Sequence, residues 1–430
     1  MYIFTSIDES SSKLNTMENE IKININNPKQ LEKLYREHKT AFAIAFNNIY
    51  PELTNEPAAQ AWNERLNYKD EQITWGNKNE IIFIVVAALM GGIIAKIPSF
   101  LGIAYNVYLS KNIGFIVFPI LTVYFVWKQQ LSMNKLILPF ILFLGSAIFV
   151  NSIPYNVKSA TFILSTIHLP IFLWAILGYS FIDGDLNNSQ KKIEFLKFNG
   201  NFIVMTGLIY ISGMFFTGIT IALFGLLKMD ITKFYFEQIA VWGLAAIPML
   251  STYLIQNNPA LVNKISPTIA KIFTPIVFVT LLVFLVTLFF TGKNIYNDRN
   301  FLLVFNIVLI CVMTIILFSL TEATNNISSK FNLIILLGLA LLTIIANAIA
   351  LSAISFRLSE YGLSPNRLAV LGANLLVFIH LLFVSYGLFN NLKGKASIQY
   401  IEASIALFIP AYAVWAALVT FVMPFLFNFI

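Results

Sequence analysis

Residues 331–355 read FNLIILLGLALLTIIANAIALSAIS. That is 25 consecutive residues without one charged side chain. At about 1.5 Å of rise per residue, such a run covers about 37 Å as a helix, more than the roughly 30 Å of a bilayer's hydrocarbon. Backbone groups find no partner in lipid, so a lone spanning segment must satisfy them internally, and that means a helix. Outward from this stretch the pattern repeats. Apolar runs separated by short polar links cover about 80–97, 113–129, 135–151, 158–181, 200–227, 236–256, 271–291, 300–320, 331–355, 367–388 and 401–428. The expectation is an all-α polytopic integral membrane bundle of about eleven transmembrane helices. The runs at 113–129 and 135–151 are short and carry Pro119 and Pro139. A re-entrant pair is the alternative there.

Composition agrees. Of 430 residues, 58% are hydrophobic and 11% charged, against about 45–50% and about 25% in soluble domains. This excludes an ordinary soluble enzyme, a disordered chain and a nucleic-acid-binding module. The net charge of +7 is unevenly spread. Residues 1–80 hold 9 Lys+Arg and 12 Asp+Glu, a net of −3, and residues 81–430 hold 19 and 9, a net of +10. The basic excess therefore belongs to the membrane part, where loop cations set orientation.

Three regions follow. Residues 1–25 are polar and read as a disordered lead-in; Tyr2-Ile3-Phe4 is too short for the core of a signal peptide. Residues 26–79 read as a cytoplasmic amphipathic helical hairpin. Pro28 suits a first helical position, Leu31, Leu34, Tyr35, Phe42, Ala45, Phe46 and Ile49 recur at helical spacing, Pro51 ends the run and Pro57 opens a second helix. The hairpin is too small for a good core of its own and should lie against the membrane part, the lipid interface or another chain. Residues 80–430 form the transmembrane domain. With the N-terminus inside, thirteen Lys and Arg fall in inner loops and flanks and nine in outer ones, which favours that orientation.

The most distinctive loop is Arg357-Leu358-Ser359-Glu360-Tyr361-Gly362-Leu363-Ser364-Pro365-Asn366-Arg367. Arg357 ends one helix, where the macrodipole favours a cation. Gly362 permits a sharp turn, and Ser364-Pro365 reads as N-cap and first helical residue. Arg367 then sits in the first turn of the next helix, where a cation is disfavoured, so Glu360, a lipid phosphate or a bound anion must compensate. The functional reading is an anion site of Arg357, Glu360, Tyr361 and Arg367. The structural reading, a turn held by an internal ion pair with snorkelling arginines, carries more weight.

The same loop resembles the R-x-x-x-Y-G-L-[ST]-x-x-R signature of an uncharacterised bacterial polytopic membrane family, domain of unknown function 4153. Gly91-Gly92-Ile93-Ile94-Ala95-Lys96-Ile97-Pro98 and Asn112-Ile113-Gly114-Phe115 are similar to that family's first two spans. The resemblance covers most of residues 80–430. It implies a bacterial cytoplasmic (inner) membrane protein, and it supplies neither substrate nor catalytic residue.

His168 and His380 fall near mid-span, where ionisable groups are costly and functional by default. A proton relay or ligand pair is one reading; two neutral histidines bonded within the bundle is the favoured other. His168 lies two residues before Pro170, whose ring frees a carbonyl. None of the nine acids after residue 80 falls mid-span, which counts against a cation-coupled carrier. Asn151, Asn306, Asn347 and Asn374 read mainly as interhelical hydrogen-bonding glue. Ala88 with Gly92, and Gly91 with Ala95, predict close helix contact. H-E-x-x-H, G-x-S-x-G and Walker motifs are absent, Asp183-Gly184-Asp185 reads as a turn, and a single Cys311 excludes a disulfide framework and any Cys-based metal site. No catalytic, cofactor-binding or metal residue is assigned. The leading expectation is a permease-like protein for a small or lipidic solute, in contact with membrane lipids and no nucleic acid. The alternatives are a membrane-embedded transferase on a lipid-linked substrate, and a scaffold or sensor binding a cytoplasmic partner through the hairpin.

Overall fold

A computed structural model describes residues 16–67, 77–132, 134–226, 228–290, 296, 298–323 and 330–430. Every regular element among them is helical. The chain divides into two compact units, residues 1–74 and residues 75–430.

Among the described residues the first unit holds four α-helices: α1 (residues 16–23), α2 (Pro28–Glu37), α3 (Lys39–Ile49) and α4 (Pro57–Asn67). Asn27 caps α2, its side chain accepting from Gln30 N. His38 leaves helical geometry (φ −139°, ψ 56°) and separates α2 from α3. Ile21, Leu31, Phe42, Ala45, Phe46 and Ala59 are fully buried. Tyr35, Phe42 and Trp62 pack ring to ring at 5.0–5.7 Å. Two expectations are thereby corrected. The unit is a four-helix cluster with its own core, not a bare hairpin. The lead-in is ordered from residue 16, because Met17, Ile21 and Ile25 recur at i, i+4, i+8 and complete that core. Residues 1–15 lie outside the described residues.

Among the described residues, the second unit contains eleven helices long and apolar enough to cross a bilayer. They are α5 (Lys78–Leu101), α6 (Tyr105–Lys128), α7 (Asn134–Ser152), α8 (Ala160–Phe181), α9 (Ser189–Leu226), α10 (Thr232–Asn257), α11 (Pro259–Phe290), α12 (Arg299–Ala323), α13 (Lys330–Tyr361), α14 (Pro365–Leu392) and α15 (Ile398–Leu426). The protein is an all-α, multi-pass membrane protein. The two short runs are separate continuous helices of 24 and 19 residues, not a re-entrant pair. Three starts, those of α6, α9 and α11, lie well before the apolar runs. α6 begins at Tyr105 because Lys111 and Asn112 find buried partners. α9 begins at Ser189, so most of 182–199 is helix rather than loop, with Ile193, Phe195 and Phe198 on its buried face.

Two large apolar clusters hold the unit. One joins α5, α6, α8, α9 and α10 around Leu121, Tyr124, Phe125, Leu177, Phe195 and Met249. The other joins α9 and α11–α15 around Ile316, Leu339, Leu381, Val384, Leu388 and Ile405. The small-residue lane of α5 makes the close helix contact expected of it, and its partners are α6 and α10. A Cβ on Gly92 would lie 2.1 Å from Trp242 Cε3, so only glycine admits that indole.

Prolines inside the spans cannot donate to the carbonyl four residues earlier. Three of those carbonyls are taken by a neighbouring helix. Tyr108 Oη donates to Ile94 O (2.9 Å), freed by Pro98. Ser165 Oγ donates to Thr420 O (2.5 Å), freed by Pro424, and Lys192 Nζ to Ala406 O (3.4 Å), freed by Pro410.

Candidate functional site

Short links make successive spans antiparallel, so the start of α5, the end of α6, the end of α10 and the start of α15 share one end of the unit. α14 runs the length of the second apolar cluster. Its buried polar residues are Asn374, His380 and Ser385. Eleven residues of helix separate the first from the last, about 16 Å at 1.5 Å per residue. Each neighbouring helix contributes to this seam. Asn374 Nδ2 donates to Asn306 Oδ1 of α12 (2.7 Å), and Asn347 Nδ2 of α13 donates to Asn374 O (3.0 Å). His380 is 1% exposed. Its Nδ1 lies 3.0 Å from Tyr412 Oη of α15, and its ring stacks on Phe408 at 4.3 Å between centroids.

The seam is not saturated. Six buried side-chain atoms among the described residues have no hydrogen-bond partner, and five are on α13–α15: Asn347 Oδ1, His380 Nε2, Ser385 Oγ, Trp415 Nε1 and Thr420 Oγ1. An unmet buried donor or acceptor costs about 1–3 kcal/mol. Comparison of the chain with protein-family models, curated proteins and solved structures gives no match.

Of the residues singled out from sequence, the structure brings His380, Asn306, Asn347 and Asn374 to this seam. His168 is elsewhere. It is half-buried on α8, with Nδ1 2.9 Å from Leu164 O of its own helix, and no hydrogen bond or ring contact joins it to His380. The carbonyl it uses is not the one Pro170 frees. Asn151 pairs with Asn112 through reciprocal amide bonds of 2.9 and 3.0 Å that tie α7 to α6.

The Arg357–Arg367 loop keeps its predicted turn: Gly362 has φ +72°, and Ser364 caps α14. The partner of Arg367 differs from all three expected. Its Nη1 donates to Tyr361 O (2.9 Å) and Gly362 O (2.5 Å), with Tyr361's ring 5.5 Å away. The negative end of α13's dipole compensates Arg367, because those carbonyls are nearer than the exposed Glu360 carboxylate. Neither Arg357 nor Glu360 joins an ion pair. Among the described residues no three of His, Cys, Asp and Glu are grouped to hold a metal ion.

Sequence reading missed the buried charges near the ends of the spans. Glu80, in the first turn of α5, accepts from Lys128 Nζ (2.5 Å) and Tyr124 Oη (2.8 Å), and Asn257 also bonds it. At the same end Lys135 pairs with Asp183 (2.5 Å) and Lys197 with Glu402 (3.9 Å). At the opposite end the buried cations rest on carbonyls instead: Lys96 on Glu237 O (2.8 Å) and Lys111 on Ile153 O (2.5 Å). Lys96 holds the π-helical stretch Tyr235–Ala240 of α10. The available signal was an isolated Lys inside an apolar run.

Proposed function

We propose that the transmembrane unit is a permease-like protein that handles a small or lipidic solute along the α14 seam. The carrying observation is the five unpartnered buried polar atoms carried by α13–α15. Polar groups within a spanning bundle are expensive, and an incompletely satisfied set supplies donors and acceptors to a guest or to water. The transferase alternative needs a phosphate pocket at the Arg357–Arg367 loop, and there Arg367 Nη1 already serves two carbonyls. The family resemblance of that loop and the excess of cations in one set of loops support a bacterial cytoplasmic membrane with the N-terminus inside.

The test needs no knowledge of the solute. In a Cys311→Ser background, single cysteines at positions 374, 380 and 385 are treated with a small water-soluble thiol reagent. Labelling at these positions, with none at the buried apolar positions 377 and 381 on the same helix, is the expected result. Protection of all five would sink the proposal.

A further inference from the structure

Lys192 lies in the first turn of α9, where the helix dipole disfavours a cation. It is buried, 8% exposed. No carboxylate oxygen comes within 4.0 Å of its ammonium, and Asp185 acts on it only from further away. Its one hydrogen bond, to Ala406 O, is 3.4 Å long. An ammonium has three donors, so two remain unused. The other buried cations do better: Lys96 has two acceptors at 2.8 and 3.2 Å, and Lys111 one at 2.5 Å.

This lysine is the only charged residue, among the described residues, that lines a cavity of about 230 Å³ between α7, α8, α9 and α15. The rest of the wall is apolar or aromatic and includes Leu138, Phe172, Tyr179, Phe195, Pro410 and Val414. Leu138 and Val414 are themselves exposed on the outer surface of the unit, so the cavity opens sideways, toward hydrocarbon. An anion placed here would meet the ammonium and the positive end of α9 together.

We propose that this cavity binds an amphiphile with one anionic head group, a carboxylate or a phosphate. The head lies on Lys192 and the chain leaves between α7 and α15. The volume is below that of a pocket enclosing a whole drug-sized ligand, about 300–1,000 Å³. It fits a head group and the start of a chain, with the remainder in the bilayer. The site is separate from the α14 seam and does not rest on the permease reading.

The test uses the full chain in phosphatidylcholine nanodiscs, with a fluorescent polyene fatty acid and the corresponding alcohol as probes. The acid should bind at least about tenfold more tightly than the alcohol, the effect of one hydrogen-bonded charge pair. Lys192→Met should erase that preference and Lys192→Arg keep it. Ala413→Trp, which fills the cavity, should remove binding of both probes. Equal binding of acid and alcohol to the unaltered protein would overturn the proposal, and that comparison needs no variant to fold. A preference that survives Lys192→Met would overturn it too. Adding phosphatidylglycerol separates the two head groups: displacement of the acid identifies a phospholipid phosphate, and no displacement identifies a free carboxylate.

Discussion

Arg367 occupies a place that elementary electrostatics disfavours, the first turn of a helix, and it is held there by the last carbonyls of the helix before. One guanidinium nitrogen, Nη1, donates to the two adjacent oxygens, Tyr361 O and Gly362 O. Glu32 of the N-terminal unit does the converse with one carboxylate. It accepts from Arg36 Nε and from Arg65 Nη1, each at 2.7 Å, and Arg65 also stacks on Trp62 and Tyr35. The hydrogen bonds from Arg36, then those from Arg65, hold the Glu32 carboxyl below the usual glutamate value, which is about 4.3. A depressed folded value adds stability that is fully present above the unfolded value and is lost as pH falls through the folded one. Protection of α2–α4 against hydrogen exchange, measured in the full chain and corrected for the intrinsic rate, should therefore fall below about pH 4.3. Glu32→Gln should flatten that dependence. An unchanged profile in the variant would assign the acid sensitivity to other groups.

At the scale of elements, the number and type of helices were legible because unbroken apolarity over 17 or more residues has one structural solution in lipid. Their ends were not legible. The first turns of α6 and α9 are polar, and hydropathy assigns polar turns to loops, yet Lys111, Lys192 and Lys197 are helical and find partners across the bundle. The partners of His168 and Arg367 were equally invisible, since they depend on which carbonyls a neighbouring turn presents. The proline-freed carbonyls are the clearest instance. Ser165 gives up its hydroxyl to Thr420 O only because Pro424 cannot. Ser165→Ala should cost about 1–3 kcal/mol, the penalty of an unmet buried acceptor. In a Pro424→Ala background the helix regains its own donor, and the same substitution should cost much less. Unfolding in mixed micelles of the four proteins of this cycle measures the coupling. Additive losses would show that Thr420 O does not depend on Ser165.

Over the whole molecule, charge is handled differently at the two ends of the transmembrane unit. Glu80–Lys128, Asp183–Lys135 and Glu402–Lys197 are ion pairs of that unit, and these three lie at the end where α5 begins. At the other end Lys96, Lys111 and Arg367 are bound by neutral carbonyls. Lys96 and Lys111 are buried inside spans, so they are not loop cations, and Lys192 is buried at the first end. Orientation responds to Lys and Arg in short loops and takes little notice of acids. Setting those three aside turns thirteen against nine into twelve against seven, a wider margin on the α5 start side. That side should face the cytoplasm. In a Cys311→Ser background, Leu363→Cys, exposed in the link between α13 and α14, should react with a membrane-impermeant maleimide in intact cells. Lys395→Cys, between α14 and α15, should react only after the cells are opened. The reverse pattern would invert the topology and, with it, the leaflet from which the Lys192 cavity is reached.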